Sequence, residues 1–187
     1  MIIVLASAQF GFFGLVGSQI VHAEVISARK ADMELMGAVE DQSFLGLEML
    51  GNLKASDPPE DIIAEIDRYL MSLQERDSIP LDAWYEFYTP LGALWGEQIG
   101  RTYGWEWEKV WLDEHKGDFV YAIVSPNRSM VIFPFRYFID CVESGKTVAV
   151  SQVYYALGEN RRLLGFPEDS YTDILTNLAY LVMIESE

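Results

Sequence analysis

The chain has 187 residues, of which half are hydrophobic and 13% aromatic, and its 29 acidic and 13 basic residues give a formal charge of −16. This hydrophobic content excludes an intrinsically disordered protein, and the length fits one folded core. The charge excludes binding to nucleic acid, because phosphate recognition depends on Lys and Arg, and it favours either simple solubility or a basic partner.

The first 23 residues contain no Asp, Glu, Lys or Arg. Their length suits the apolar part of an export signal or a poor transmembrane helix, and residues 21–23 (VHA) resemble a signal cleavage site. No basic residue precedes the apolar run, however, and serine, glutamine and glycine interrupt it. We therefore expect a packed element of a soluble, cytoplasmic protein, with export or membrane association through residues 1–23 as the alternative.

Two helical patterns follow. Residues 24–53 mix apolar and charged residues at helical spacing, although three glycines weaken the pattern. The sequence Ser56-Asp57-Pro58-Pro59 is typical of a linker before a helix, because Asp57 can cap the helix and Pro58 suits its first turn. The helix that begins there carries an apolar face and is predicted to end near residue 77.

A third helical pattern ends at Gly104, which is predicted to be a left-handed C-cap. Pro90 is predicted to start a new turn or to kink this helix. Gly92, Gly96 and Gly100 recur every four residues, so they share one helical face. That glycine stripe predicts close approach of another backbone, because glycine has no Cβ.

Three strands are predicted next, at Trp105 to Leu112, Phe119 to Val124 and Met130 to Phe133. Pro134 is expected to end the third, and helices are predicted at 135–143 and 148–157. Ser170 and Asp173 predict a capping-box start of a closing helix. The predicted fold class is α+β, a three-stranded antiparallel meander packed against several helices. The predicted organisation is an N-terminal segment over residues 1–55, a core domain over 56–157, and a C-terminal connection and helix over 158–187.

The sequence gives little support for a metal site or for a nucleophilic cysteine. Cys141, the single cysteine, lies in an apolar run with no local His, which favours a buried structural thiol. His115 lies among acidic residues in the predicted loop at 113–118, but the spacing matches neither calcium nor zinc signatures. We therefore predict no metal and no cofactor.

Glu97 and Gln98 interrupt an otherwise small and apolar helix, next to Trp95. A carboxylate beside an indole can carry a raised pKa and serve as a general acid or base, which makes Glu97, Gln98 and Trp95 an alternative functional site. A solvent-facing Glu97 with no chemical role is the simpler reading.

The first strand alternates tryptophans with Glu106 and Glu108. If only one face of the sheet is covered, either the glutamates or the tryptophans face solvent. Together with Asp113, Glu114 and Asp118 of the following loop, the two glutamates form a candidate surface for binding a basic protein, where aromatic anchors contribute strongly.

The stretch Leu91-Gly92 to Trp95-Gly96-Glu97, followed by Tyr103-Gly104-Trp105, resembles a bacterial family of uncharacterised small domains. The resemblance continues at Phe133-Pro134-Phe135 and at the Val142-Glu143-Ser144-Gly145 turn, and covers about residues 60–157. Similar small acidic proteins occur as immunity proteins beside secreted toxins. The resemblance therefore implies an immunity-type inhibitor that occludes a basic toxin or effector, by analogy of fold.

Two functions consequently compete. The first is a binding module for a basic protein, without catalysis, that uses the acidic strand and loop. The second is an enzyme that uses Glu97 and an unidentified partner group, which would require a concave pocket around Glu97 with another titratable side chain.

Overall fold

The computed structural model describes residues 25–74, 81–112, 119–143, 149–159 and 166–175. The N-terminal apolar segment and the loop with Asp113, Glu114, His115 and Asp118 lie outside these residues. Within the described ranges the chain forms, in order, β1 (Val25–Lys30), α1 (Met33–Leu50), α2 (Pro59–Gln74), α3 (Leu81–Tyr103), β2 (Glu106–Leu112), β3 (Phe119–Val124), β4 (Met130–Ile132), α4 (Pro134–Glu143), α5 (Val150–Glu159) and β5 (Thr172–Asp173). None of the helices described is long and apolar enough to cross a membrane.

The strands form one mixed sheet in the order β1-β2-β3-β4-β5. Neighbouring strands from β1 to β4 pair antiparallel, whereas β5 pairs parallel to β4. The α+β class is confirmed. The prediction of a three-stranded antiparallel sheet is wrong, because β2, β3 and β4 form only its centre and one further strand extends each edge.

Both edge strands come from segments predicted to be helical. Residues 25–30 pair with β2, with Lys30 opposite Glu108, and the backbone N–H of Ala31 donates to the carbonyl of Trp107 at 3.0 Å. Long-range pairing thus overrides the local helical pattern, which holds only from Met33. At the other edge Ser170 donates to the carbonyl of Ser129 at 3.0 Å instead of forming the expected capping box.

Apolar clusters pack against both faces of the sheet within the described residues. Between sheet and helices lies the larger core, which includes Ile66, Leu94, Trp95, Trp107 and Phe138. A smaller apolar cluster covers the opposite face and includes Val110, Ala122, Val124, Val131 and Tyr171. Alternation along β2 therefore does not separate a solvent-exposed face from a buried one, because the condition of a sheet covered on one face only is not met.

Helix α3 runs through the middle of the larger core and continues through Pro90. The glycine stripe does allow close approach, but mainly by aromatic rings. A Cβ at Gly92 would lie 2.8 Å from the Phe135 ring, and one at Gly96 would lie 2.2 Å from the Trp107 ring. Only at Gly100 is the neighbour a backbone atom, a carbonyl oxygen 3.0 Å away. Gly104 ends the helix with φ of 72°, which confirms the predicted left-handed cap.

Asp67 of α2 caps the N-terminus of α5 across the structure. Its two carboxylate oxygens accept the N–H groups of Val150 and Ser151 at 2.8 and 3.0 Å. Asp67→Ala should lower the free energy of unfolding by about 1 to 2 kcal/mol, because it leaves two helix-terminal donors without their acceptor. Chemical denaturation measures this, with the exposed Asp41→Ala as control. An equal loss in both variants would contradict the capping role.

Asp32 caps α1 by accepting the N–H of Leu35 at 2.9 Å, and it binds the Lys109 ammonium at 2.7 Å. The Lys109 hydrogen bond and then the Leu35 N–H lower the pKa of Asp32 below 3.8. Since the folded-state pKa lies below the unfolded one, this stabilisation is complete above the unfolded pKa and is lost as the pH falls through the folded one. Asp32→Asn keeps the cap but loses the charge.

We therefore expect Asp32→Asn to be less stable than the native chain at neutral pH and to approach its stability as the pH falls through the lowered pKa of Asp32. Urea unfolding across this pH range measures the difference. If the difference in free energy of unfolding between the two proteins stays constant with pH, the carboxylate charge of Asp32 does not stabilise the fold.

Candidate functional site

Two concave regions lie on either side of an ion pair between Lys30, at the end of β1, and Glu106, at the start of β2. We name the larger one the helix-side groove; it has a volume of about 610 Å³ and lies against α1 and α3. We name the smaller one the turn-side cleft; it has a volume of about 330 Å³ and lies against the β3–β4 turn. Both volumes are within or near the range of ligand sites.

The helix-side groove has an apolar floor and charged walls. Its lining includes Met36, Val39, Glu40, Glu97, Arg101 and Trp107. The carboxylate of Glu97 accepts a hydrogen bond from Ser43, a buried residue of α1, so Glu97 also links α1 to α3. The indole N–H of Trp107 is buried and has no hydrogen-bond partner in the described part of the chain.

The structure does not bring the three residues of the alternative site together. Trp95 is fully buried and its ring lies against Tyr137 and Phe138 of α4. Gln98 is buried as well, where it donates to the carbonyl of Leu94 and accepts from Arg101 at 2.6 Å. Successive helical residues point about 100° apart, so of the three only Glu97 lines the groove.

The turn-side cleft contains more carboxylates than cations. Glu106, Glu108, Glu168 and Asp169 line it, together with Lys30 and Arg128. Both cations are already bound, since Lys30 contacts Glu106 and Arg128 contacts Glu108 at 3.3 Å. Glu168, Asp169 and one oxygen of Glu108 are therefore left without a matching positive charge from the cleft itself.

Glu108 was expected in solvent, and this is wrong: the residue is only 3% exposed. It points to the face of the sheet opposite the helices, where the smaller apolar cluster covers it, whereas Glu106 at the strand end is exposed. Arg128 contacts only the Oε1 atom of Glu108, and Oε2 has no hydrogen-bond partner among the described residues. The Glu108 charge raises the pKa of Arg128, and burial followed by the same charge raises the pKa of Tyr171.

Unusual backbone conformations surround this ion pair. Arg128, Asp169 and Tyr171 have φ values of 55°, 56° and 47°, in the left-handed region that non-glycine residues seldom adopt. Backbone hydrogen bonds hold them, because Asp169 donates to the carbonyl of Asn127 at 3.1 Å and Tyr171 donates to that of Arg128 at 2.9 Å. Such conformations persist only where the surroundings enforce them, and they concentrate at functional sites.

The sequence pointed to Glu97, Glu106 and Glu108 but not to the residues around them. Ser43 and Arg128, which bind Glu97 and Glu108, and the further cleft carboxylates Glu168 and Asp169 are distant along the chain and belong to no motif. Only the Ser-Pro-Asn-Arg turn pattern could have drawn attention to Arg128. No group of three or more His, Cys, Asp or Glu side chains in the described ranges is arranged to hold a metal ion.

Comparison with known proteins gives one finding about the fold. No family model matches the sequence, and no curated protein matches it. A crystal structure from Bacteroides thetaiotaomicron VPI-5482, at 1.50 Å resolution, is similar with a TM-score of 0.52 and 13% identity. The match covers 74% of this chain and 50% of that one, so the chain spans about half the length of its structural relative. At this identity the likeness concerns the fold alone.

Proposed function

We propose that this protein is a binding module for a basic protein, and that it acts as an immunity-type inhibitor of a toxin or effector. The observation that carries the proposal is the surplus of carboxylates in the turn-side cleft, where both cations are already paired. A Lys or Arg of a partner supplies the missing charge, and the charge of −16 accelerates the encounter.

Charge reversal at the cleft tests the proposal. Glu106→Lys with Glu168→Lys changes two exposed side chains, whereas reversal at the buried Glu108 would disturb the fold. Tagged protein should capture a stoichiometric basic partner from the organism that encodes it, and the double variant should slow association by about tenfold, with less effect at higher salt. Stopped-flow or surface plasmon resonance measures the rate.

The control is Glu60→Lys with Glu86→Lys, two exposed residues of α2 and α3, because this double variant changes the net charge by the same amount away from the cleft. If both variants slow association equally, the cleft contributes only through the net charge and is not the binding site. Failure to capture any basic protein at low or moderate salt would contradict the proposal as a whole.

Acid–base catalysis by Glu97 is a second candidate function because of one observation. Glu97 lies in a concave groove with Glu40, Lys30 and Arg101, so the titratable neighbours that acid–base chemistry requires are present. NMR screening with small molecules tests it, since a substrate-like ligand should shift the indole N–H resonance of Trp107. The second candidate would be abandoned if no ligand shifted this resonance, or if the native chain and Glu97→Gln turned over a bound ligand at the same rate.

A further inference from the structure

Helix α1 presents an exposed face that is both apolar and acidic. Met33 is 92% exposed and Phe44 is 60% exposed, and Met36 and Leu45 are also exposed. The charged residues of the helix are Glu34, Glu40, Asp41 and Glu48, all exposed, and the helix contains no basic residue. Large apolar side chains in water beside charges of one sign are typical of surfaces that bind a partner.

The apolar residues form a stripe along the helix. Met33, Met36, Glu40 and Phe44 follow one another at spacings of three or four residues, which places them on one side over three turns, about 16 Å along the axis. This is the arrangement by which one helix contacts another lengthwise. Methionine suits such a contact because its flexible, polarisable side chain adapts to different neighbours.

The stripe continues into the helix-side groove. Met36 and Glu40 belong to both, and the groove behind them is floored by Val39, Trp105 and Trp107. An apolar side chain of a docked segment therefore has a concave place to enter beside the stripe. An anchor in a pocket, with a polar surrounding, is how a few residues come to supply most of the binding free energy.

We propose that the α1 stripe and the helix-side groove bind an amphipathic helix that carries Lys or Arg along its polar side. Charge complementarity selects this occupant, since such residues meet Glu34, Glu40, Asp41 and Glu48. A second copy of this chain would instead bring two sets of these four carboxylates together, with no base from either α1. This inference rests on the proposed function, because the helix belongs to the same basic partner, and it names the element of that partner that is recognised.

A peptide titration with the full chain tests the inference without the natural partner. The probe is a synthetic Leu/Lys peptide with leucine at helical spacing, and the reference peptide has the same composition in an order without an apolar face. We expect the amphipathic peptide to bind about tenfold more tightly than the reference. Met33→Gln with Phe44→Gln should remove about that tenfold while the charge stays the same, and Met71→Gln, exposed on α2, should change nothing. Isothermal titration calorimetry measures the affinities.

Equal binding of the two peptides would overturn the inference in favour of charge attraction alone, and so would unchanged affinity in the Met33/Phe44 variant. If the native chain sediments as a dimer and the Met33/Phe44 variant sediments as a monomer, the exposed face of α1 binds a second copy of the chain. The two proposals fail separately. If a basic protein is captured but binds the Met33/Phe44 variant as tightly as the native chain, only the α1 site is contradicted. If the amphipathic peptide binds but no basic protein is captured, only the proposed function is contradicted.

Discussion

Gly96→Ala should lower the free energy of unfolding by about 2 kcal/mol, although alanine is the better helix former. A Cβ at this position would lie 2.2 Å from Cζ2 and 2.8 Å from Cη2 of Trp107. The indole cannot move aside easily, because it is buried and stacked on Phe135 with ring centroids 5.8 Å apart. Overpacking costs about 1 to 3 kcal/mol, and a ring this close places the cost at about 3 kcal/mol, so the gain in helix propensity of about 1 kcal/mol leaves a net loss of about 2 kcal/mol.

Gly37→Ala is the matched control, since it makes the same change inside helix α1. A Cβ at Gly37 meets nothing within 4 Å, and the residue is exposed. We expect this variant to gain about 0.5 to 1 kcal/mol from helix propensity. Urea denaturation of both variants measures the difference. Changes of the same sign and size would show that contact with Trp107 does not determine the preference for glycine at position 96.

The sequence was informative about elements whose pattern is local. The glycine stripe, the left-handed Gly104 and the strands β2 to β4 follow from periodicity and from backbone chemistry. The edge strands could not be predicted in this way. Residues 25–30 are a strand because β2 offers them an unpaired edge, and Thr172 and Asp173 join β4 in parallel, a pairing that local sequence does not encode.

The candidate site shows the same division between local and long-range information. Glu106 and Glu108 lie two residues apart on one strand and share a face, as alternation requires, yet one is in solvent and the other is buried. The difference arises because Arg128 and Tyr171, from distant segments, lie over Glu108 and not over Glu106. Alternation along a strand predicts the face of a side chain, but what covers that face depends on the rest of the fold.

Removing the positive charge beside Glu108 should be the most damaging polar change in the described part of the chain. Arg128→Gln leaves a carboxylate that is 97% buried without its cation, and Oε2 of that carboxylate already lacks a hydrogen bond. Breaking a fully buried ion pair from one side costs about 3 to 5 kcal/mol. The Arg128 side chain is 40% exposed, so we expect about 2 to 3 kcal/mol, measured by urea unfolding at neutral pH.

A second substitution separates the unpaired charge of Glu108 from the other interactions of the Arg128 side chain. Glu108→Gln in the Arg128→Gln background replaces the unpaired carboxylate by a neutral amide, so it should recover more than half of the lost stability, and the double-mutant cycle should give a coupling of about 1 to 2 kcal/mol. Arg68→Gln, which breaks an exposed pair with Glu65, should cost less than about 0.5 kcal/mol. If the double variant is no more stable than Arg128→Gln, the loss arises from other interactions of the Arg128 side chain, such as those with Asp169 and Tyr171, and not from the unpaired charge of Glu108. Recovery would instead identify Glu108 as a buried charge that Arg128 only partly satisfies, which leaves the exposed Glu106, Glu168 and Asp169 as the cleft carboxylates that a cationic side chain of a partner can reach.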